Sequence, residues 1–282
     1  NVKIFSIGDV GDLTYPYSSL ENSTIVINEI LKNKHKLSDL IKKSQKPMII
    51  LGQSLLKLKS APYIFEKLKK YLIENNKINN EWNALNILST NASTVGAYDL
   101  EILSTKTGEN ETLKKIIKNE FDVIFLFGQE NLNFKKKNEF IIYMGSHGDR
   151  GAEMSDIILP SAAFTEQDGY FTNLEGKMQK AYKASYPPGD AKEDWQIINE
   201  LAASLKRKNL YINKEELINS MKNFLKLRKD KNFEAPINDF VEEKIYVEDL
   251  DYYHSNSIAR ASKTMNECKN LTLNVKKTGT DG

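Results

Sequence analysis

Residues 122 to 128 read Asp122-Val123-Ile124-Phe125-Leu126-Phe127-Gly128, an apolar run of strand length that ends in a glycine. The same pattern occurs earlier in the chain, at Ile49-Ile50-Leu51-Gly52. A strand that runs into glycine commonly enters a tight turn toward a helix at the carboxyl edge of a parallel sheet. We therefore expect both turns to lie where such a sheet can form a ligand-binding crevice.

Strand-length apolar runs alternate along the chain with segments of helical periodicity. The predicted strands are Val2–Ile7, Pro47–Leu51, Asp122–Phe127, Glu139–Met144 and Asp156–Leu159. The predicted helices are Ser23–Leu31, Leu37–Ser44, Ala61–Glu74, Glu81–Ser89, Glu111–Asn119 and Glu193–Leu205. This alternation is typical of the α/β class, in which a mostly parallel sheet is flanked by helices.

The predicted helix 193–205 has a stripe of apolar residues at three- and four-residue steps. The stripe consists of Trp195, Ile198, Leu201, Ala202 and Leu205. This spacing predicts that the stripe is the buried face, with Asp190 or a nearby polar residue as the cap. Replacing a core Trp195 by alanine would then cost roughly 3–5 kcal/mol of stability.

The composition changes after Lys208, where lysine, asparagine and glutamate alternate with weaker apolar stripes. We expect an α/β domain over residues 1–207, incomplete at its N-terminus because the chain opens on a strand, and a C-terminal helical and extended arm over 208–282. Within the arm we predict a helix at Lys214–Leu227, followed by an aromatic run at Tyr246–Tyr253. The last stretch, Leu271–Gly282, has little to bury and is expected to fray.

The composition excludes several classes of function. With 282 residues, 40% of them hydrophobic, the chain can bury a sizeable core. The formal net charge of +2 gives no preference for nucleic acid or for an anionic membrane, and no apolar window is long enough for a membrane span. One cysteine, Cys268, cannot form an intramolecular disulfide or hold an iron–sulfur cluster alone. His35, His147 and His254 do not have metal-ligand spacing, so no metal site is expected.

The most distinctive polar segment is Tyr143–Gly151, which follows a predicted strand and carries Gly145, Gly148 and Gly151 at three-residue intervals. Neither of the established glycine-rich phosphate-binding motifs is present. His147 could act as a base beside Asp149, but residues this close in sequence seldom face each other, so a structural hydrogen bond is favoured.

Three further polar groups have structural interpretations from the residues alone. Asp156 precedes a strand that ends at Pro160, where its carboxylate can accept backbone hydrogen bonds. Thr165 and Glu166 suit a turn or a cap, and residues 172–176 alternate like a short hairpin strand that closes at Gly176.

Taken together, these positions form a long, ordered pattern of the form D-x-x-L-P…T-E…N-x-E-G-[RK]-x-Q. The matching residues are Asp156 to Pro160, Thr165, Glu166, Gly169, Asn173, Glu175, Gly176 and Gln179. The pattern resembles the signature of the molybdopterin oxidoreductase superfamily, which implies a mostly parallel α/β fold.

A narrower resemblance is to the C-terminal half of the large, 75 kDa-type iron–sulfur subunit of respiratory complex I. It is carried by Asp12–Tyr15, by Gly145–Ala152, by Pro187–Trp195 and by Ser255–Met265. In that family the N-terminal half carries the cysteine-bound clusters that pass electrons from NADH toward ubiquinone. The resemblance therefore implies a structural, cofactor-free part of the peripheral arm, with no catalytic residue of its own, which belongs to an enzyme only as a subunit of the H+-translocating NADH:ubiquinone reductase.

The resemblance also implies the partners and the location. The cluster-bearing N-terminal half would be a separate chain of a split subunit or a missing segment, and other peripheral-arm subunits would adjoin it. Neither nucleic acid nor direct membrane insertion is expected. We expect the mitochondrial inner membrane, matrix side, or alternatively the bacterial inner membrane, cytoplasmic side.

Any vestige of a pterin site would fall on polar residues of the segments that carry the two resemblances. These are His147, Asp149, Asp156, Thr165, Glu166, Asn173, Glu175 and Lys177. Lysine at 177 replaces the usual arginine and removes a planar, bidentate donor for phosphate. One alternative is a fragment of a molybdopterin-dependent oxidoreductase in which residues 145–151 and 173–177 grip a pterin dinucleotide. Another is a free-standing nucleotide-binding protein that uses the turns at Gly52 and Gly128.

Overall fold

The computed structural model describes residues 2–8, 10–11, 13–102, 111–129, 132, 134–205, 208–229, 239–247 and 251–274. The strands are β1 Phe5–Ile7, β2 Ser18–Leu20, β3 Ile49–Gly52, β4 Leu85–Leu88, β5 Val123–Phe127, β6 Phe140–Gly145, β7 Ile157–Pro160, β8 Gly169–Thr172 and β9 Met178–Ala181. The helices are α1 Thr24–Leu31, α2 Lys36–Lys43, α3 Gln53–Leu56, α4 Ala61–Glu74, α5 Thr94–Asp99, α6 Glu111–Ile117, α7 Arg150–Glu153, α8 Asp194–Ser204, α9 Lys214–Lys229, α10 Ser257–Ala261 and α11 Lys263–Asn274. Helices and mostly parallel strands confirm the α/β class.

The chain divides into two compact units. Unit 1 consists of Asn1–Asn91, Phe233–Asp251 and Asn270–Gly282. Unit 2 consists of Ala92–Asn232 and Tyr252–Lys269. The boundary expected between residues 207 and 208 is a different division of the chain, and it stays a prediction.

Unit 1 contains two parallel strand pairs, β1 with β2 and β3 with β4. Its main core is built around α4, whose buried residues Ile64, Leu68, Tyr71 and Leu72 recur at helical spacing on one face. Leu51 from β3 joins them in the same cluster. A smaller cluster, formed by Val26, Ile30 and Leu37, holds α1 against α2.

Residues 239–247, a late segment of the chain, pack on the N-terminal part of unit 1. We call this segment the strap. The N–H of Thr24 donates to the Glu243 carbonyl at 3.0 Å, and the N–H of Ile245 donates to the Asn22 carbonyl at 2.8 Å. The Glu243 carboxylate accepts from the Ser60 hydroxyl at 2.7 Å and from the N–H groups of Ser60 and Lys59 at 3.0 and 3.2 Å. The strap therefore joins the start of α1 to the residues that precede α4.

Unit 2 contains the three-stranded parallel sheet β5-β6-β7, with β6 in the centre. Ile124, Leu126, Ile141 and Tyr143 pack with Ile116 of α6 on one face of this sheet. A separate antiparallel hairpin pairs β8 with β9. The parallel arrangement brings the carboxyl ends of β5, β6 and β7 to one edge, where the polar segment after β6 begins.

The structure confirms all five predicted strands, with shifts at their ends, and all but one of the predicted helices. The helix predicted at Glu81–Ser89 is wrong. Residues 85–88 form β4, which pairs with β3 from Ile49↔Leu85 to Gly52↔Leu88. The Asn79 side chain accepts from the N–H groups of Glu81 and Trp82, at 2.9 Å each, and so holds a turn where a helix would have to begin.

The hairpin is displaced from its predicted position. Strand β8 ends at Thr172, so residues 173–177 form the turn rather than a strand, and Gly176 has the positive φ of +78° that such a turn requires. At the C-terminal end, α11 extends to Asn274, so residues 271–274 are helical, and the rest of the segment expected to fray lies outside the described residues.

Helix α8 is confirmed, but its buried face differs from the prediction. Its buried residue is Ile197, whereas Ile198 and Leu205 are exposed and Trp195 is half-buried. The polar residue at the cap is Glu193 rather than Asp190, and its N–H donates to the Gln196 side chain at 3.2 Å. Asp194 hydrogen bonds to Ser161, and this contact orients the helix so that Ile197, one turn along the same face, points inward.

Candidate functional site

The polar segment that follows β6 is built around Tyr143. This tyrosine is buried, and its hydroxyl donates to the His147 carbonyl at 2.6 Å. A Cβ at Gly145 would lie 2.1 Å from the Tyr143 hydroxyl, and a Cβ at Gly151 would lie 2.5 Å from the Gln129 carbonyl oxygen. At two of the three positions, the glycine spacing is therefore explained by close packing around an aromatic ring and a neighbouring backbone.

His147 and Asp149 line a cavity of about 140 Å³ with Gly148 and with Ser257, Arg260 and Ala261 from α10. Asp149 accepts from the N–H of Arg150 at 2.9 Å as the N-cap of α7. Its other carboxylate oxygen lies 3.3 Å from Nε of Arg260. His147 Nδ1 lies 2.9 Å from the Ser146 hydroxyl. The two neighbours that the sequence suggested as a base pair thus have different partners, as the structural interpretation expects.

The sequence did not predict the three cavity residues from α10, of which Arg260 is the charged one. It belongs to the segment Ser255–Met265, which carried part of the family resemblance but no predicted role. Its contact with Asp149 depends on the tertiary fold, so the only sequence signal was that both residues belong to matching segments.

Asp156 lies at the opposite end of the parallel sheet from His147. It precedes β7, where its carboxylate accepts from the N–H of Ile141 at 2.8 Å and pairs with Lys136 at 2.6 Å. The Ile141 N–H and then the Lys136 ammonium lower the pKa of Asp156 below its ordinary value. The backbone hydrogen bond that the sequence predicted for this carboxylate is present.

Thr165 and Glu166 form a local turn. The Glu166 carboxylate accepts from the N–H of Ala163 at 2.9 Å, and the Thr165 carbonyl accepts from the N–H of Ala184 at 2.8 Å. These bonds fasten the chain between β7 and β8, as the predicted turn or cap implies.

The hairpin residues Asn173, Glu175 and Lys177 likewise bond within their own turn. The Asn173 side chain accepts from the N–H groups of Glu175 and Lys177 at 3.1 and 2.9 Å, and it donates to the Glu175 carboxylate at 3.2 Å. The Glu175 and Lys177 side chains are exposed. The structure thus distributes the eight candidate positions over the cavity, the far end of the sheet, a turn and the hairpin.

A polar cluster at the start of α8 was not predicted. Glu193 pairs with Lys214, lies 3.7 Å from Lys183, and accepts from the Trp195 indole N–H at 3.1 Å. These contacts join α8 to the start of α9 and to the segment after β9. The cluster contains no nucleophile beside a base, and we interpret it as structural.

The cavity beside His147 is small and its carboxylate is already paired. The cavity of about 140 Å³ is smaller than the ~300–1,000 Å³ that small-molecule sites usually offer, and the Asp149 carboxylate in its wall already pairs with Arg260. Within the described ranges, no cluster of three or more His, Cys, Asp or Glu side chains could hold a metal ion. In the same part of the chain, no helix is long and apolar enough to cross a membrane.

Comparison with known proteins identifies the family. The family model for molybdopterin oxidoreductases matches residues 1–204. The NADH-ubiquinone oxidoreductase 75 kDa subunit of Reclinomonas americana is 32% identical over 283 residues, which cover 96% of this chain and 41% of that protein. The G subunit of the NADH-quinone oxidoreductase of Rickettsia bellii is 34% identical over 283 residues, which cover 95% of this chain and 39% of that protein.

A third relative, the G subunit of the NADH-quinone oxidoreductase of Rickettsia felis, is similar to this chain to the same degree, with 34% identity over 279 residues. The chain spans about two-fifths of the length of these curated relatives. The similarity extends over nearly all of this chain and includes the segments after β6 and around α10. Because the family model covers well over half of its residues, the chain belongs to the molybdopterin oxidoreductase family.

Proposed function

We propose that the chain is a structural, cofactor-free part of the peripheral, NADH-oxidising arm of respiratory complex I. In this role it supports the cluster-bearing domain that passes electrons from NADH toward ubiquinone. The observation that carries the proposal is the similarity of almost the whole chain to the 75 kDa and G subunits of NADH-ubiquinone and NADH-quinone oxidoreductases.

The contacts of the candidate site support a structural role over a catalytic one. Asp149 caps a helix and pairs with Arg260, and Asp156 pairs with Lys136. A catalytic acid or base needs a partner group on the substrate and a pKa near the working pH. The lowered pKa of Asp156 moves that carboxyl away from such a value.

The proposal also specifies neighbours and place. The iron–sulfur clusters would be held by polypeptide that corresponds to the N-terminal part of the longer relatives, on a separate chain or in the same one. Other peripheral-arm subunits would adjoin it. We place the chain on the matrix side of the mitochondrial inner membrane, or on the cytoplasmic side of the corresponding bacterial membrane.

Native purification of this chain from detergent-solubilised membranes tests the proposal. We expect cluster-bearing and NADH-oxidising subunits to co-purify, as identified by mass spectrometry, and the preparation to oxidise NADH. Recovery of the chain without any of these subunits would contradict the assignment to complex I.

The family match favours one alternative, a fragment of a molybdopterin-dependent oxidoreductase. Molybdenum and pterin analysis of the same preparation distinguishes the two functions. Stoichiometric pterin that elutes with this chain would support the alternative, even though the cavity beside His147 is small.

A further inference from the structure

One face of the parallel sheet in unit 2 is apolar and, among the described residues, is exposed at five of its eight positions, whereas Met144 is buried. The strand register aligns its side chains in rows across the three strands. The rows are Val123 with Phe140, then Phe125 with Ile142 and Ile157, then Phe127 with Met144 and Leu159. Five of these side chains are between 41% and 50% exposed. They are Val123, Phe125, Phe127, Phe140 and Ile157, and we call them the open sheet face.

The opposite face of the same sheet is covered at β5 and β6, whereas Ile158 at the edge strand β7 is 55% exposed. Ile124, Leu126, Ile141 and Tyr143 are buried in a cluster that includes Ile116 of α6. Two residues at α7, Ala152 and Met154, pack against the same cluster. Both helices therefore pack on the same side of the sheet.

The sequences of β5 and β6 indicate that both faces of the sheet are meant to be buried. Parallel sheets are usually covered on both sides, and their strands then read as continuous apolar runs rather than alternating ones. Strand β5 reads Val-Ile-Phe-Leu-Phe and β6 reads Phe-Ile-Ile-Tyr-Met-Gly, with no charged residue in either. On the open sheet face the rings of Phe125 and Phe127 stack with centroids 5.8 Å apart. A contiguous apolar surface of this kind marks an interaction site.

We propose that the open sheet face is the docking surface for the cluster-bearing polypeptide, meaning the part that corresponds to the remaining three-fifths of the longer relatives. This inference rests on the proposed function, because it names the surface through which the chain joins its partner. Polypeptide is available for this role, since the relatives extend well beyond the 41% and 39% that this chain covers. The absence of charge in β5 and β6 fits a permanent, apolar interface rather than a transient one.

Photo-crosslinking in the native complex tests the contact directly. Phe125 is replaced by the photoreactive p-benzoyl-phenylalanine in the full chain, and the complex is purified before illumination. The matched control carries the same group at Ile212, which is exposed and lies outside the open sheet face. We expect the yield of the cross-link to the cluster-bearing polypeptide to be at least about tenfold higher from position 125 than from position 212. Links from position 125 to a second copy of this chain, to a different subunit, or to no protein would overturn the inference.

A charge substitution separates this inference from the proposed function. Phe125→Asp places a carboxylate at a position that is 41% exposed in the chain alone, and circular dichroism checks that the variant keeps its fold. Recovery of the cluster-bearing polypeptide should fall at least about tenfold, while Ile212→Asp leaves it unchanged. If wild type and Phe125→Asp recover it equally, the docking surface is wrong and the proposed function stands. If wild type recovers no complex I subunit, both fail.

Discussion

The ionisation of Glu243 is tied to the stability of unit 1. Its carboxylate accepts three hydrogen bonds from Ser60 and Lys59 where the strap meets the start of α4. Burial acts to raise the pKa of Glu243, but these hydrogen bonds outweigh it and hold the pKa below the ordinary glutamate value. The folded chain therefore binds this proton less tightly than the unfolded chain does.

We expect Glu243→Gln to lower the free energy of unfolding at pH 7 by about 1–2 kcal/mol, because a charged acceptor is replaced by a neutral amide. The carboxylate contributes fully to the free energy of unfolding at pH values above the ordinary glutamate pKa. This contribution is lost as the pH falls through the lowered pKa of the folded state. Urea unfolding from pH 7 downward should therefore show the two proteins converging in acid. The exposed neighbour gives the control Glu242→Gln, which should match wild type at every pH. A difference for Glu243→Gln that persists in acid would refute the electrostatic explanation.

Gly151 has no room for a side chain. A Cβ there would lie 2.5 Å from the Gln129 carbonyl oxygen and 3.1 Å from the Tyr143 ring, and a backbone atom cannot move aside cheaply. We expect Gly151→Ala to cost about 1–3 kcal/mol, measured by denaturant unfolding. Gly148→Ala is the matched control, since nothing lies within 4 Å of its Cβ, and its change should stay within about 0.5 kcal/mol. Equal effects of the two substitutions would show that the close contact does not matter.

At the scale of single elements, α8 shows how a surface helix is oriented by polar contacts. The apolar stripe predicted its existence and its ends, but Asp194 and Glu193 fix its rotation through residues distant in sequence. Trp195 consequently packs at the edge, with its indole N–H bonded to Glu193.

We expect Ile197→Ala to destabilise the protein by about 2–4 kcal/mol, because Ile197 is the buried residue of the helix. Trp195→Ala should cost less, about 1–2 kcal/mol, rather than the larger loss that the stripe alone implied. Thermal unfolding of the two variants side by side provides the comparison. A larger effect for Trp195→Ala would restore the predicted face.

The sequence predicted elements well where local pattern determines them and poorly where a distant partner does. Helix α4 has the predicted bounds because its apolar spacing is regular and Pro62 lies in its first turn. Strand β4 was mistaken for a helix, since Leu85-Asn86-Ile87-Leu88 fits either periodicity and only pairing with β3 decides between them. In the same way, the sequence indicated His147 and Asp149, whereas Arg260 completes their cavity only through the tertiary fold.

At the scale of the whole molecule, each of the two compact units has a core of its own. Leu72 is fully buried in unit 1 and Ile141 is fully buried in unit 2. We expect Leu72→Ala and Ile141→Ala each to cost about 2–5 kcal/mol and to lower amide protection mainly in the unit that contains the substitution. Hydrogen exchange followed by mass spectrometry locates the loss. Equal loss of protection in both units from either substitution would indicate a single cooperative structure.

The strap also determines the order in which unit 1 can be completed during synthesis. The Thr24 hydroxyl donates to the Val241 carbonyl, 217 residues later in the chain, and accepts from the N–H of Glu243. Contacts of such long sequence separation form late, because a large loop must close before they contribute. On a ribosome, the start of α1 therefore waits for its last neighbours until nearly all of unit 2 has been made. Unit 1 begins before unit 2 but cannot bind its strap until residues 239–247 have been made, and the nascent chain is exposed to chaperones and proteases for that interval.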